Sequence, residues 1–406
     1  MRVKPFVVIF AGLALLLIGA LRAKNQSSKS QFSDGLLAAL PSEAQVFDVR
    51  QYGRAVCDGV TDDTAAIQKT IDAAFAARPP MGKVTFSGGG MCKATVLRWP
   101  DSGHLGWFVT EFDAGLTANH IYPGNFNAFI GHTSAFYGFN PLFPIAPRAN
   151  WIQTDHLKEH FVEIAGKSNI FIQGIHIQGM SIGFSGLYIH DKAGVGSVDI
   201  YLKESSVSAR SSAVKIDSSG PGNIAGFSFT AENCSIGGSN NTAYYDLDVT
   251  NFGMITIRGG YLGSFHYKNA GIPSAGDVAV EDVLSESLTH DFFFSEASPG
   301  IVADITLKRV RLADAARNVY MLKAVTTNNQ ITNVKIEMSQ TGAIGAGLID
   351  PASTPTHLGL ICEGAGCNFA SIYPSLYFGQ LTGPRGPTII YGSRYQPKPL
   401  QAVTKP

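Results

Sequence analysis

Phe47–Ala74, FDVRQYGRAVCDGVTDDTAAIQKTIDAA, is the stretch that decides the fold of this 406-residue chain. It reads as a short strand, a Gly-punctuated loop and then an amphipathic helix over Asp62–Arg78. Thr61 stands where an N-cap belongs, with a hydroxyl able to accept an orphan amide of the first turn. Asp62 and Asp63 follow, where carboxylates meet the positive end of the helix dipole. Ala66, Ile67, Thr70, Ile71, Ala74 and Phe75 recur at helical spacing and make one apolar face. A single amphipathic helix ahead of a chain rich in short strands predicts a lid over an apolar end.

Outward from this stretch, β-branched runs return every ~25–30 residues from Phe161 onward. One line of strands includes Ile170–Ile172, Val198–Ile200, Phe227–Phe229, Met254–Ile257, Val278–Val280, Ile305–Leu307 and Val334–Ile336. A second follows it through Leu187–His190, Val214–Asp217, Tyr245–Asp248, Phe265–Lys268, Phe292–Phe294 and Tyr320–Leu322. Gly and Asn mark the corners, among them Asn169, Gly174, Asn233, Gly259 and Gly260. A coil that cannot bury its inner face alone must stack on its neighbours. The expected fold is therefore all-β, a single-stranded parallel β-helix of about eight turns with an N-terminal capping α-helix.

Tyr52-Gly53, Asp58-Gly59-Val60-Thr61-Asp62-Asp63-Thr64 and Ala66-Ile67-Gln68 resemble the N-terminal signature of the pectate-lyase-like superfamily. The element that usually follows, Gly-x-Val-x-Phe-x-x-Gly, is matched by Gly82, Val84, Phe86 and Gly89. The resemblance covers residues 46–97; farther on only the rung rhythm agrees. It implies a right-handed parallel β-helix acting on polysaccharide, in a group that includes tailspike-like depolymerases and polygalacturonase-related hydrolases. The hydrolase motifs Asn-Thr-Asp, Gly-His-Gly and Arg-Ile-Lys are not intact here, and the one Asp-Asp belongs to the helix start. The Asp-Pro-His-Asp of alginate epimerases is absent as well.

The first 23 residues have the order of a signal peptide: Arg2 and Lys4, an apolar run from Phe6 to Leu21, then small residues. The run is shorter than the ~20 residues a spanning helix needs. Residues 24–45 form a polar linker, 46–100 the entrance module, 101–160 an aromatic-rich loop insertion, 161–375 the rungs and 376–406 a tail. The expected location is secreted or periplasmic, with no stable membrane span after cleavage. Lys plus Arg balances Asp plus Glu at 31 each, and charged residues are 15% of the chain. That balance argues against a nucleic-acid partner and for a polysaccharide one. Cys57 and Cys92 lie on the two halves of the entrance module and can pair, as can Cys362 and Cys367, leaving Cys234. No Cys-x-x-Cys spacing suggests zinc, and no metal or cofactor is expected.

Outward side chains of stacked strands form columns, so a site is read across rungs. With the apolar residues of the second line turned in, Tyr188, His190, Lys215, Asp217, Asp246, Asp248, His266 and Lys268 share one surface. No other column of the chain concentrates titratable groups in this way. Paired carboxylates are what glycoside hydrolysis needs, one to protonate the leaving oxygen and one to activate water or attack. The expected catalytic set is Asp217, Asp246, Asp248, Lys215 and His266. Tyr188, His190 and Lys268 are expected to bind substrate, with Trp107, Tyr122 and Tyr137 stacking on sugar rings. Elimination from a uronate, or epimerisation, is the competing chemistry. Lys215 or a His would then be the base and Ca²⁺ would bridge the acids. A non-catalytic carbohydrate-binding β-helix is the third reading. His190-Asp191 and His290-Asp291 resemble dyads, but neighbouring strand residues point to opposite faces.

Overall fold

The computed structural model describes residues 44–77, 82–102, 106–131, 151–153, 160–179, 184–192, 195–218, 226–238, 243–269, 277–286, 290–297, 302–313, 320–326, 331–338, 347–349, 357–362 and 388–391. The signal-peptide and linker readings, Tyr137, and the Cys362–Cys367 pairing fall wholly or partly outside these residues. Among the described residues, no helix is long and apolar enough to cross a membrane.

The described residues from 45 onward form a right-handed parallel β-helix. Among the described residues every pairing between strands is parallel, and an isolated antiparallel bridge, Lys192 to Val195, closes a corner loop. Three ladders run along the coil. The first climbs through Val46–Asp48, Lys83–Phe86, Phe108–Phe112, Asn127–Gly131, Ser168–Gln173 and Val198–Lys203. It continues through Gly226–Ile236, Phe252–Leu262, Asp277–Glu281 and Val302–Lys308. The second carries Met91–Arg98, Gly115–Tyr122, Trp151–Gln153, His176–Gly179 and Ser206–Ala209. The third, which matters most here, runs from Ile121 through Val162–Ala165, Leu187–His190, Val214–Asp217, Leu247–Thr250, Phe265–Asn269, Phe293–Ala297 and Tyr320–Thr326.

Alternation explains why these short runs are strands. Along Leu187–His190 and Val214–Asp217 every second residue is fully buried, Leu187, Ile189, Val214 and Ile216 among them. The bend between the first and second ladders recurs at one place on six rungs. Gly174, Glu204, Asn233, Gly259, Asp282 and Arg309 all have φ between 49° and 68°. A left-handed residue turns the chain there in one step, which suits Gly and Asn and strains the others mildly.

The cap helix spans Thr64–Ala76 and packs Ile67, Ile71 and Ala74 onto the terminal rungs. It starts later than the spacing predicted. Thr61 lies in the exposed strand Asp58–Asp62, and Asp63 holds the N-cap position. The buried Asp63 carboxylate looks back along the chain, accepting the amides of Val56 at 2.7 Å and Cys57 at 2.9 Å. Asp62 instead accepts the amide of Thr64 at 3.0 Å. Cys57 and Cys92 form a disulfide between the first two rungs, while Cys234 is free and buried.

The stretch 101–160, read as a loop insertion, contains strands Phe108–Phe112, Gly115–Tyr122, Asn127–Gly131 and Trp151–Gln153, which are rungs of the same coil. Phe108, Phe112 and Phe129 are core residues. Phe86 stacks on Phe112 at 4.6 Å and Phe112 on Phe129 at 6.4 Å, one aromatic step per rung. The composition there is aromatic because the interior is, and loop-like punctuation from Gly and Pro hid the alternation.

Candidate active site

The third ladder presents a column in strict register on its outer face. Arg98 stands beside Tyr122, and Glu163 beside Tyr188; then follow Lys215, Asp248, His266, Phe294 and Lys323. A second column, two residues on, holds His190, Asp217, Thr250, Lys268 and Glu296. Neighbouring rungs are ~4.8 Å apart, so residues separated by tens of positions in sequence become neighbours. Tyr188, His190, Lys215, Asp217, Asp248, His266 and Lys268 therefore share one wall, as the alternation predicted.

Asp246 does not join them. The strand begins at Leu247, so the alternation cannot be carried back two residues. Asp246 is 7% exposed, and its Oδ2 accepts the Ser264 amide at 2.9 Å and the Ser264 hydroxyl at 3.3 Å. A Cβ on Gly263 would come within 2.0 Å of that oxygen, so the corner is built around the carboxylate. Asp246 clips one rung to the next. Tyr245, just before it, packs against His266, His290 and Phe294.

Two further histidines, His120 and His160, and an acid, Glu163, complete the wall, none of them singled out in the sequence. Glu163 Oε1 lies 2.8 Å from His190 Nε2, and its Oε2 lies 2.8 Å from His120 Nε2. The contacts with His120 and then His190 hold its carboxyl far below the ordinary range, against the effect of burial. His190 Nδ1 is 2.8 Å from the carbonyl oxygen of Asp191. A carbonyl and an ionised carboxylate only accept, so both ring nitrogens of His190 must donate. Burial disfavours its charge, but Glu163 and the Asp191 carbonyl outweigh that and raise its pKa. His190 is an imidazolium with no N–H left over, which makes it a fixed positive charge rather than a hydrogen-bonding partner for substrate. A visible signal for Glu163 existed: His160-Phe161-Val162-Glu163-Ile164 alternates like its neighbours one rung on.

Asp191 lies just past the end of its strand, so the opposite-faces rule does not apply to it. Its Oδ1 accepts the Ser218 hydroxyl at 3.3 Å. Burial first, and the charge of Asp217 after it, push its pKa up. Farther along, Asp248 Oδ1 accepts from His266 Nδ1 at 2.9 Å. His266 Nε2 is 3.5 Å and Lys268 Nζ 3.9 Å from Glu296.

The aromatic rings are not open platforms. One face of Tyr122 is covered by His120 at 4.0 Å, and the Arg98 guanidinium lies over the ring at 4.0 Å. Tyr188 stacks on both His160, at 4.1 Å, and His190, at 4.5 Å. Same-face neighbours two apart on one strand, and side chains of adjacent rungs, crowd onto these rings, and what they leave to solvent is their edges. The reading of Tyr122 as a ring-stacking surface is therefore corrected. Trp107 stands apart, edge-on to Phe126 ahead of a first-ladder strand. Burial, with Asp217 next in weight, pushes the Tyr188 phenol up to about 12, so it remains a donor.

Among the described residues, one group of ligand-type atoms is close enough to share an ion: Cys57, Asp63 and Cys92. Its two sulfurs are bonded to each other.

No protein-family model matches the chain, and no curated protein sequence does so. Similar solved structures include open reading frame 18 of Geobacillus virus E2, at 15% identity and a TM-score of 0.43 over 77% of this chain. The chain spans 64% of that protein's length. A Yersinia enterocolitica family 28 exopolygalacturonase is similar at 12% identity and a TM-score of 0.39, over 79% of this chain and 74% of its own. PfbA, a surface adhesin of Streptococcus pneumoniae, is similar at 13% identity and a TM-score of 0.40, over 78% and 88%.

Proposed function

We propose that this chain is an exported enzyme that cleaves a pectin-like or extracellular polysaccharide by hydrolysis on the outer face of the third ladder. The observation that carries this reading is the diagonal of Asp217 and Asp248 on adjacent rungs, with Lys215 on the strand of Asp217 and directly opposite Asp248. Diagonal neighbours of this kind lie roughly 7–8 Å apart at the backbone. Carboxylates separated by about 6.5–9.5 Å leave room for a sugar bond and a water between them. Asp248, oriented by the His266 imidazole, activates the water, and Asp217 protonates the leaving oxygen. Lys215, between them, takes a substrate hydroxyl or carboxylate. The His190 imidazolium beside Asp217 and the buried Asp191 behind it set the local field.

The test is incubation of the mature protein with pectic, alginate and bacterial exopolysaccharides. Reducing ends and ultraviolet-absorbing unsaturated uronates are followed together. Hydrolysis gives new reducing ends without absorbance. Absorbance would replace it with elimination, with Lys215 as base and Ca²⁺ as the ion to test. Binding without either product would make the wall a carbohydrate-binding surface.

A further inference from the structure

Tyr122 and Tyr188 each already stack on two partners within the protein, so polar edges are what this wall offers a saccharide. One such edge has its proton placed by the fold. The backbone amide of Ser185 donates to His160 Nδ1 at 2.9 Å. An amide can only donate, so Nδ1 is an acceptor and the imidazole proton resides on Nε2, at the far side of the ring. The ring is held in place from two directions. It stacks on Tyr188 at 4.1 Å and meets the edge of Phe184 at 5.3 Å. The amide that fixes it is itself fixed, since the Ser185 carbonyl accepts the Phe161 amide at 3.1 Å.

We propose that His160 is a specificity-determining residue whose Nε2–H is a permanently neutral donor to a sugar oxygen on the third-ladder wall. This rests on the polysaccharide reading above. Burial first, and then the charge of Lys215, make a second charged imidazole beside His190 costly; His120 and His190 add to this, Glu163 alone opposes them, and the His160 pKa is lowered to about 4. The donor therefore stays the same from pH 5.5 to 8, where an ordinary histidine would change state. A neutral donor matches a hydroxyl or ring oxygen, whereas a cation would favour a carboxylate. Tyr188 supplies a second neutral edge, its hydroxyl, against the same ring. Together they make a recognition element for the uncharged oxygens of a sugar, next to the charged machinery of Asp217 and Lys215.

Two substitutions separate the nitrogens. In His160→Asn the side-chain oxygen can replace Nδ1 toward Ser185, but the distal donor is lost. In His160→Gln the amide nitrogen reaches the place of Nε2, but the Ser185 contact is lost. With the polymer that the wild type cleaves, His160→Asn is expected to keep its melting temperature and raise KM about tenfold with kcat within twofold. His160→Gln is expected to lower the melting temperature and raise KM less than threefold. Nitrogen-15 NMR of the wild-type histidines is expected to show His160 as the Nε2–H tautomer, not titrating between pH 5.5 and 8. Its signal should shift on adding oligogalacturonate or a neutral oligoglucan. An Nδ1–H tautomer, titration near 6.5, or an unchanged KM in His160→Asn overturns the proposal and leaves the polysaccharide reading standing. A wild type that neither cleaves a polymer nor shows a shift with either probe overturns both.

Discussion

At the scale of single residues, the wall is governed by who already has a partner. Glu163 binds two imidazoles, and His190 spends both nitrogens within the protein. The pH dependence follows from the two shifts. His190 has a raised folded pKa, so its contribution is complete below about 6.5 and fades as pH rises through the folded value. Glu163 has a lowered one, so its contribution is complete above about 4.5 and fades as pH falls. Their contributions overlap most between these limits. Glu163→Gln is expected to cost about 2 kcal/mol near pH 5.5, and less at pH 8.5, in melting curves that report the central rungs. Asp217→Asn is expected to lower kcat by about 10²–10⁴-fold with little change in stability, and Asp246→Asn to do the reverse. The outward set Tyr188, Lys215, Asp217, Asp248 and His266 was legible because apolar and polar residues alternate through their strands. Asp246 was misread because alternation ends with the strand, and a corner carboxylate looks the same in sequence as a strand one. Glu163, His160 and His120 were missed because the ladder was traced only from Leu187 onward.

At the scale of elements, corners do the sorting. The six left-handed residues from Gly174 to Arg309 stand at one bend on successive rungs. Where the residue is charged, it is used: Arg309 forks onto the Asp282 carboxylate. Just inside the bend the register column reads Lys203, Glu232, Arg258, Glu281 and Lys308, an alternation of charge in which Arg258 Nη2 reaches Glu281 at 3.0 Å. Gly260, beside the bend, has φ 79°, and a Cβ there would lie 2.1 Å from the Cys234 carbonyl oxygen. Gly260→Ala is expected to destabilise by about 2 kcal/mol or more, whereas Gly89→Ala, which meets nothing within 4 Å, should cost about 1 kcal/mol. Denaturant titration of the two variants side by side checks this. The Gly-Gly at 259–260 and Asn233 were readable as corners from their conformational habits. Glu204, Asp282 and Arg309 were not, since nothing in their chemistry announces a positive φ. The cap helix was readable from its apolar spacing, but not its first residue, because four candidate capping side chains occur in a row and their partners lie elsewhere.

At the scale of the whole coil, stability is a sum of neighbouring contacts, and loss begins at the ends. The Cys57–Cys92 bond closes a 35-residue separation across the terminal rungs, worth roughly 3–4 kcal/mol by loop entropy. Reduction is expected to increase amide exchange over 46–98 and to leave Val214–Thr250 unchanged, as hydrogen-exchange mass spectrometry would report. The coil was legible at this scale because repetition survives variation in any one rung. The rungs between 101 and 160 were not, because they are punctuated like loops. The in-register wall has one more consequence, which concerns how such a surface changes over generations. Under the function proposed above, each position along a bound chain is read by a separate rung, so a substitution in one edits a single contact. Duplicating or losing a whole rung adds or removes one ~4.8 Å step of the wall without rewriting its neighbours. On that reading, the length and the identity of the substrate are inherited as separate, independently adjustable traits.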